Sequence, residues 1–270
     1  MLFTFFALTS ERVWFIIVKD PLRAGRSFCP FPACAGEERR ITPPLRAGKG
    51  KVRKMRYSVY LFDLDGTLCD TGEGIIKAAG YALERLGEPM PDSGTMRKFI
   101  GPPLWDCFEK VVGLDSEKTG RAVKLYREYY AEKGLYENRL YEGVEETLRT
   151  LKEGGAVLGV ATCKPEPFSV KILENHGIAG YFQSITGSLT DGGRREKEEV
   201  INCVLERIGC DDIGSRRKAV MVGDRKYDLI GARKTGLQSI GVLYGYGSLE
   251  ELREYGAEHL VNRPEEIPAV

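Results

Sequence analysis

Histidine is scarce in this chain. There are only two, His176 and His259, and neither has another plausible metal ligand near it in sequence. A histidine-rich metal site is therefore not expected. The seven cysteines (Cys29, Cys34, Cys69, Cys107, Cys163, Cys203 and Cys210) are scattered, odd in number and without C-x-x-C spacing. That pattern argues against a disulfide framework or a structural zinc site, and for a reducing, cytoplasmic setting. No charge excess is present either: the formal net charge is +1 over 270 residues, so no overall field points to a nucleic-acid polymer or an acidic membrane. The apolar run Val13–Val18 is too short to span a bilayer, and Met1–Phe6 lacks the positive start of a signal peptide.

The stretch that is there, Tyr57–Asp70, reads Y-S-V-Y-L-F-D-L-D-G-T-L-C-D. Its apolar, β-branched and aromatic beginning predicts a buried strand that ends where Asp63 and Asp65 start. Residues 1–54 differ in composition from the rest of the chain. Pro21–Lys54 is rich in Arg, Lys, Pro and Gly, and L-R-A-G occurs twice, at Leu22 and Leu45. Because the first strand begins just after Met55, the expectation is that Met55 is the natural start and that 1–54 is an unordered or artefactual extension; a basic leader is the alternative. Helical spacing then dominates from Gly74 to Asn138, broken by Ile100-Gly101-Pro102-Pro103-Leu104. Beyond it, strands are expected at Ala156–Ala161, Tyr181–Thr186, Ala219–Val222, Gln238–Leu243 and His259–Val261. Helices alternate with them, which is the signature of an α/β fold with a parallel sheet. The expected domains are a core from 55–70 and 142–270, and a helical insert at 71–141.

Parallel strands bring their carboxyl ends to one edge, where ligands of open α/β sheets bind. Asp63, Asp65, Thr162, Lys197, Asp224 and Asp228 all fall at such ends or in the turns after them. A carboxylate such as Asp63 can attack phosphorus and divide one hard hydrolysis into two easier steps. Repulsion opposes it, since two like charges ~4 Å apart cost ~4 kcal/mol at an effective dielectric of ~20. A divalent cation removes that cost, and the oxygen donors Asp63, Asp224 and the Asp65 carbonyl suit Mg²⁺. Asp65 can serve as acid and then base. Gly66 permits the turn, and Thr67 can hold the Asp65 side chain. Thr162 and the backbone beside it can hold a phosphate, and Lys197 offers fixed positive charge. Asp228 can hold a metal-bound water or orient Lys197. Each feature alone has a plainer reading: Thr162 as a strand end, the charge run Arg194–Glu199 as a solvated helix face, Gly223-Asp224 as a tight turn. Their order along the chain favours the joint reading.

Those residues also form four segments. D-L-D-G-T-L at Asp63–Leu68, A-T-C-K-P at Ala161–Pro165, R-x-x-K at Arg194–Lys197 and G-D-R-x-x-D at Gly223–Asp228 resemble the four motifs of the haloacid dehalogenase superfamily. The likeness runs from about Tyr57 to the C-terminus. It implies a Rossmann-like core with a mobile helical cap inserted after the first strand, like that of phosphoglycolate phosphatase-like members. It also implies Asp63 as nucleophile, Asp65 as acid/base, Mg²⁺ on Asp63, Asp65 and Asp224, and phosphate held by Thr162, Cys163 and Lys197. Cys163 departs from the more usual Asn or Ser. Asp65 excludes dehalogenation, because the dehalogenases lack an acid there. G-D-R-K-Y-D-L-I-G-A and S-I-G-V-L-Y-G-Y-G-S resemble a branch whose members are named both phosphoglycolate phosphatase and 5′-nucleotidase.

The expected function is thus a Mg²⁺-dependent phosphatase acting on a small phosphorylated metabolite, as a monomer or homodimer, with no membrane or nucleic-acid partner. The alternatives are a 5′-nucleotidase acting on mononucleotides, a sugar phosphomutase, or a binding protein on an inactive scaffold. Gly101 and Pro102, with Pro103, are the candidate substrate loop of the cap; a plain helix–helix turn is the other reading. Arg97 and Lys164 are candidates to meet an anionic leaving group. Hinges are expected near 71–74 and 139–143. The G-x-G at Gly245–Gly247 is too short for a dinucleotide site.

Overall fold

In a computed structural model, the structure describes residues 55–190 and 193–270. The expectations for 1–54 lie outside the described residues. The chain runs β1 (Val59–Phe62), β2 (Cys69–Asp70), α1 (Gly72–Leu86), α2 (Ser93–Arg97), α3 (Leu104–Asp106) and α4 (Ser116–Tyr129), then β3 (Arg139–Leu140) and α5 (Val144–Glu153). It continues β4 (Val157–Pro165), α6 (Glu166–Asn175), β5 (Ser184–Ser188), α7 (Lys197–Arg207) and α8 (Ile213–Arg216). The last elements are β6 (Ala219–Gly223), α9 (Lys226–Thr235), β7 (Gln238–Val242), α10 (Leu249–Glu254) and β8 (His259–Val261).

Six of the strands form one parallel sheet in the order β5-β4-β1-β6-β7-β8. Strand β1 is central, with Phe62 level with Val160 on one side and Val222 on the other. Successive side chains of a strand point to opposite faces. Tyr60 and Phe62 accordingly join one core with Leu148, Leu158 and Ile172, whereas Val59 and Leu61 join a second with Val204, Leu205 and Met221. Burial on both faces is why these strands read as continuous apolar runs rather than alternating ones. The chain builds outward from β1 to β5 and then returns to the other side of β1 with β6. This reversal opens a crevice at the strand tips.

The long helical stretch is more broken than its spacing suggests. Helix α1 buries Ile75, Ala78, Ala79, Ala82 and Leu83 and stops at Gly87, which has left-handed backbone. Helices α2 and α4 begin where the carboxylates of Asp92 and Asp115 accept the backbone N–H of Thr95 and Lys118, satisfying helix-start donors. Two π-helical turns, at Cys107–Val112 and Tyr130–Gly134, interrupt the α-helical pattern. Strands β2 and β3 pair antiparallel as a two-stranded ribbon flanking this stretch, a feature with no apolar run to announce it. Each has only two residues, and Arg139 and Asp70 add a salt bridge of 2.8 Å between them. Strand β4 continues through Thr162 to Pro165, past the apolar run that predicts it, and its register with β5 shifts between Ala161 and Pro165. The strand expected at Tyr181–Thr186 lies at Ser184–Ser188, after a short 3₁₀ turn at Ala179–Tyr181.

Because Leu61 is fully buried beneath α7, Leu61→Ala should cost about 2–5 kcal/mol of stability through lost transfer energy and an unfilled cavity. Urea unfolding checks this: the midpoint should fall while the slope stays as in the parent.

Candidate active site

Asp63 leaves the end of β1 with its backbone N–H bonded to the carbonyl of Val222, so β6 sets its position. Its neighbour across that edge, Asp224, follows β6 directly, and Asp228 lies in the first turn of α9. Carboxylate oxygens of Asp63, Asp224 and Asp228 lie within 4.8 Å of one another. Lys197, the first residue of α7, places its Nζ 2.9 Å from Asp63 Oδ1 and 2.7 Å from Asp228 Oδ1. The same ammonium donates to the carbonyl of Ala161 at 2.9 Å, which ties α7 to β4.

Burial is the dominant force on these groups. Desolvation pushes the Asp63 carboxyl up to about 6 against the pull of Lys197, with Asp228 and Asp65 adding repulsion. Asp224, fully buried, is pushed well above the carboxylate range by the same desolvation and by Asp228 and Asp63. Desolvation alone disfavours the charged form of Lys197, but Asp228 and Asp63 together outweigh it and hold the ammonium charged. Three acids thus gather beside one lysine, which pairs with two of them, Asp63 and Asp228. All their donors are hard oxygens, so the residues present fit a hard divalent cation.

Asp65 turns elsewhere. Its Oδ1 accepts from Thr71 Oγ1 at 2.6 Å and from Lys164 Nζ at 3.0 Å, and Lys164 lies over the Tyr130 ring at 4.4 Å. The Asp65 side chain is therefore not part of the acidic triad; Asp228, expected in a supporting role, is. The expected partner of Thr67 also differs. Its hydroxyl donates to Asp224 Oδ1 at 3.4 Å, and Thr71 is the residue that holds Asp65. The turn expected at Gly66 is present, with φ of 82°. Thr162 is buried in the last part of β4, beyond its apolar run, and its Oγ1 accepts the Lys164 N–H at 3.3 Å.

Asp63, Asp65, Thr162, Cys163, Lys197 and Asp228 line one cavity of about 250 Å³. Gly101, Pro102 and Pro103 line it from the helical stretch, together with Trp105 and Tyr126, and Lys164 lines it from β4. Arg97 is not among the described residues that do so. Sequence reasoning missed Tyr246. Its backbone N–H donates to Asp224 Oδ2 at 2.7 Å, while its hydroxyl donates to Asp70 at 2.6 Å and accepts from Gly72 N at 2.8 Å. It links the acidic cluster to the ribbon beside α1. The only sequence signal for it was the Y-G-Y-G run, which lies 22 residues beyond Asp224 in the chain.

The profile of the haloacid dehalogenase-like hydrolases matches residues 60–242. The chain belongs to that family. Among relatives of this haloacid dehalogenase-like hydrolase, a 5′-nucleotidase of Pseudomonas aeruginosa is 43% identical over 205 residues, covering 76% of this chain and 91% of its own length. A phosphoglycolate phosphatase of Vibrio cholerae is 31% identical over 199 residues, covering 71% of this chain and 86% of its own. A crystal structure of a predicted phosphatase from Clostridium acetobutylicum superposes with a TM-score of 0.73 at 44% identity, covering 79% of this chain and 97% of the matched one. With relatives so named, the hydrolase stands among the phosphatases of its family.

Removing the ammonium of Lys197 while keeping its stem, as in Lys197→Met, strands buried carboxylates and should cost about 3–5 kcal/mol. Urea unfolding in metal-free buffer measures this. The loss should be larger at alkaline than at mildly acidic pH, where the stranded acids can take up protons, and an added divalent cation should recover part of it.

Proposed function

We propose that this hydrolase removes phosphate from a small phosphorylated metabolite through an aspartyl-phosphate on Asp63. The observation that carries the reading is Asp63 itself: a nearly buried carboxylate at a strand tip, 2.9 Å from a lysine and beside two further acids. In the first half-reaction an Asp63 oxygen bonds to phosphorus as the bond to the leaving oxygen breaks. Asp65, two residues on, gives its proton to that leaving oxygen. In the second, Asp65 takes a proton from water as the water oxygen bonds to phosphorus and Asp63 is released. Lys197 and Thr162, with the backbone beside Cys163, hold the phosphoryl oxygens. Asp63, Asp224 and Asp228 with the Asp65 carbonyl would hold Mg²⁺, whose charge offsets the repulsion between nucleophile and phosphate. Thr71 and Lys164 hold the Asp65 side chain in one orientation through their bonds to it.

Residues 71–141 act in this reading as a cap, with Gly101-Pro102 facing the leaving group. A phosphoglycolate-like substrate is the leading candidate. The second reading, a mononucleotide, is favoured by the 5′-nucleotidase relative and by the aromatic side chains of Trp105, Tyr126 and Phe168 around the cavity, which offer a base more apolar surface than a two-carbon acid needs. No helix among the described residues is long and apolar enough to cross a membrane; the cytoplasmic setting we propose rests on the scattered, odd-numbered cysteines.

Three measurements test the reading together. Asp63→Asn should abolish phosphate release, by about 10³-fold or more, with an unfolding midpoint that does not fall, since the neutral amide escapes the desolvation and repulsion that burden the carboxylate. EDTA should stop turnover and Mg²⁺ restore it. A panel of phosphoglycolate, mononucleotides and hexose phosphates should yield free phosphate from one class; phosphate returned to the sugar instead would mark a mutase.

A further inference from the structure

We propose that Arg225 is a positioning residue that clamps the Ile100–Pro103 loop over the strand tips and so sets the leaving-group side of the cavity. The proposal deepens the phosphatase reading and rests on it for the identity of the cavity, though not for the clamp itself.

Arg225 follows Asp224 at the end of β6, and its backbone N–H donates to Asp228 Oδ2 at 3.1 Å. Its guanidinium leaves the acidic turn and spans two other parts of the chain. Nη1 donates to the Ile100 carbonyl at 2.6 Å, across 125 residues of sequence. Nε donates to Glu251 Oε1 on α10 at 3.0 Å, and that same oxygen accepts the Lys226 N–H at 2.8 Å. The Arg225 and Glu251 side chains are 17% and 22% exposed, so solvent screens this pair less than a surface one. Glu251 fixes the fork, and the fork reaches the loop. A lysine offers a single point charge on a flexible stem and cannot present two N–H groups in this fixed geometry.

The loop is shaped to receive it. Gly101 has φ of 109°, a conformation that side-chain-bearing residues rarely adopt, and a β-carbon there would lie 3.0 Å from Arg225 Nη1. Pro102 and Pro103 have no N–H to anchor the loop. The Ile100 carbonyl is thus the point through which the acidic turn holds it. Immediately after that point, Gly101, Pro102, Pro103 and Trp105 line the cavity that Asp63 and Asp65 line from the sheet, and Arg225 lines it too. Loss of the clamp would free the wall facing the leaving group and leave Thr162 and Lys197, held by β4 and α7, in place.

The test uses the full chain with Trp14→Phe, which leaves Trp105 as the sole tryptophan of the two in the sequence. Arg225→Lys and Glu251→Ala are made in this background. Acrylamide quenching of Trp105, on the short helix α3 that directly follows the loop, should rise about twofold in both, as expected when the loop is freed. For whichever of phosphoglycolate, the mononucleotides and the hexose phosphates is turned over best, KM should rise about tenfold with kcat within about threefold, as expected for loss of a charge-assisted hydrogen bond that contributes to binding. Inhibition by inorganic phosphate, which Thr162, Lys197 and the backbone beside Cys163 hold from the sheet side, should be unchanged. Unaltered quenching in whichever variant folds overturns the clamp, as does a loss of phosphate affinity equal to the rise in KM, which would place the effect of Arg225 in the acidic turn. If no ester is hydrolysed, the phosphatase reading fails, and the quenching comparison still decides the clamp.

Discussion

One ammonium group, that of Lys197, holds together the chemistry of this molecule. Its side chain is 4% exposed and sits between Asp63 and Asp228 while donating to the backbone of β4. Buried carboxylates are several kcal/mol unfavourable apiece unless paired, and no arrangement of β1, β6 and α9 alone could bring these acids to one edge without such a charge. Yet one positive charge does not balance three negative ones. Asp63 and Asp224 remain pushed toward protonation by burial and by each other. That surplus makes the strand tips a receptive place for a divalent cation, and for a phosphoryl group once the cation is there.

The sheet supplies the rigidity this requires. With β1 central and buried on both faces, Asp63 projects from the best-supported strand of the fold. Around that fixed point the less regular segments are tied to the acids one by one: Thr67 and Tyr246 to Asp224, and Thr71 and Lys164 to Asp65. Tyr246 and Arg225 then reach outward from the acidic cluster, the first to the β2–β3 ribbon and the second to the Ile100–Pro103 loop. Both routes join the reacting centre to the two ends of the helical stretch and to the loop within it. A conformational change in that stretch would therefore be felt at the acids through hydrogen bonds as well as through packing.

Much of this was legible from residues alone. Apolar runs ending in Asp63, Thr162 and Asp224 announce parallel strands and their tips, because burial on both faces removes polar residues from a strand until it reaches the edge. The helical character of 74–138 and its break at Ile100–Leu104 were equally plain, although the two π-helical turns were not: such a turn leaves the apolar spacing almost unaltered. The β2–β3 ribbon was not legible, since a pair of two-residue strands has no periodicity to detect. Nor was the partner of Thr67. Asp65 lies beside that hydroxyl in sequence and Asp224 far from it, and only the backbone path through Gly66 decides between them.

The amino-acid sequence by itself determined the family, the α/β architecture and the set of acids, lysine and threonine that meet at the strand tips, because each depends on local runs and on strands sharing a direction. Tertiary structure alone decided which carboxylates cluster and which turn aside. Asp228 joins the triad because α9 begins one turn after β6, and Asp65 leaves it because Thr71 and Lys164 draw its carboxylate the other way. The contacts of Tyr246 and Arg225 belong there too. Hydrogen bonds between groups more than a hundred residues apart depend on angles and distances that no one-dimensional pattern encodes.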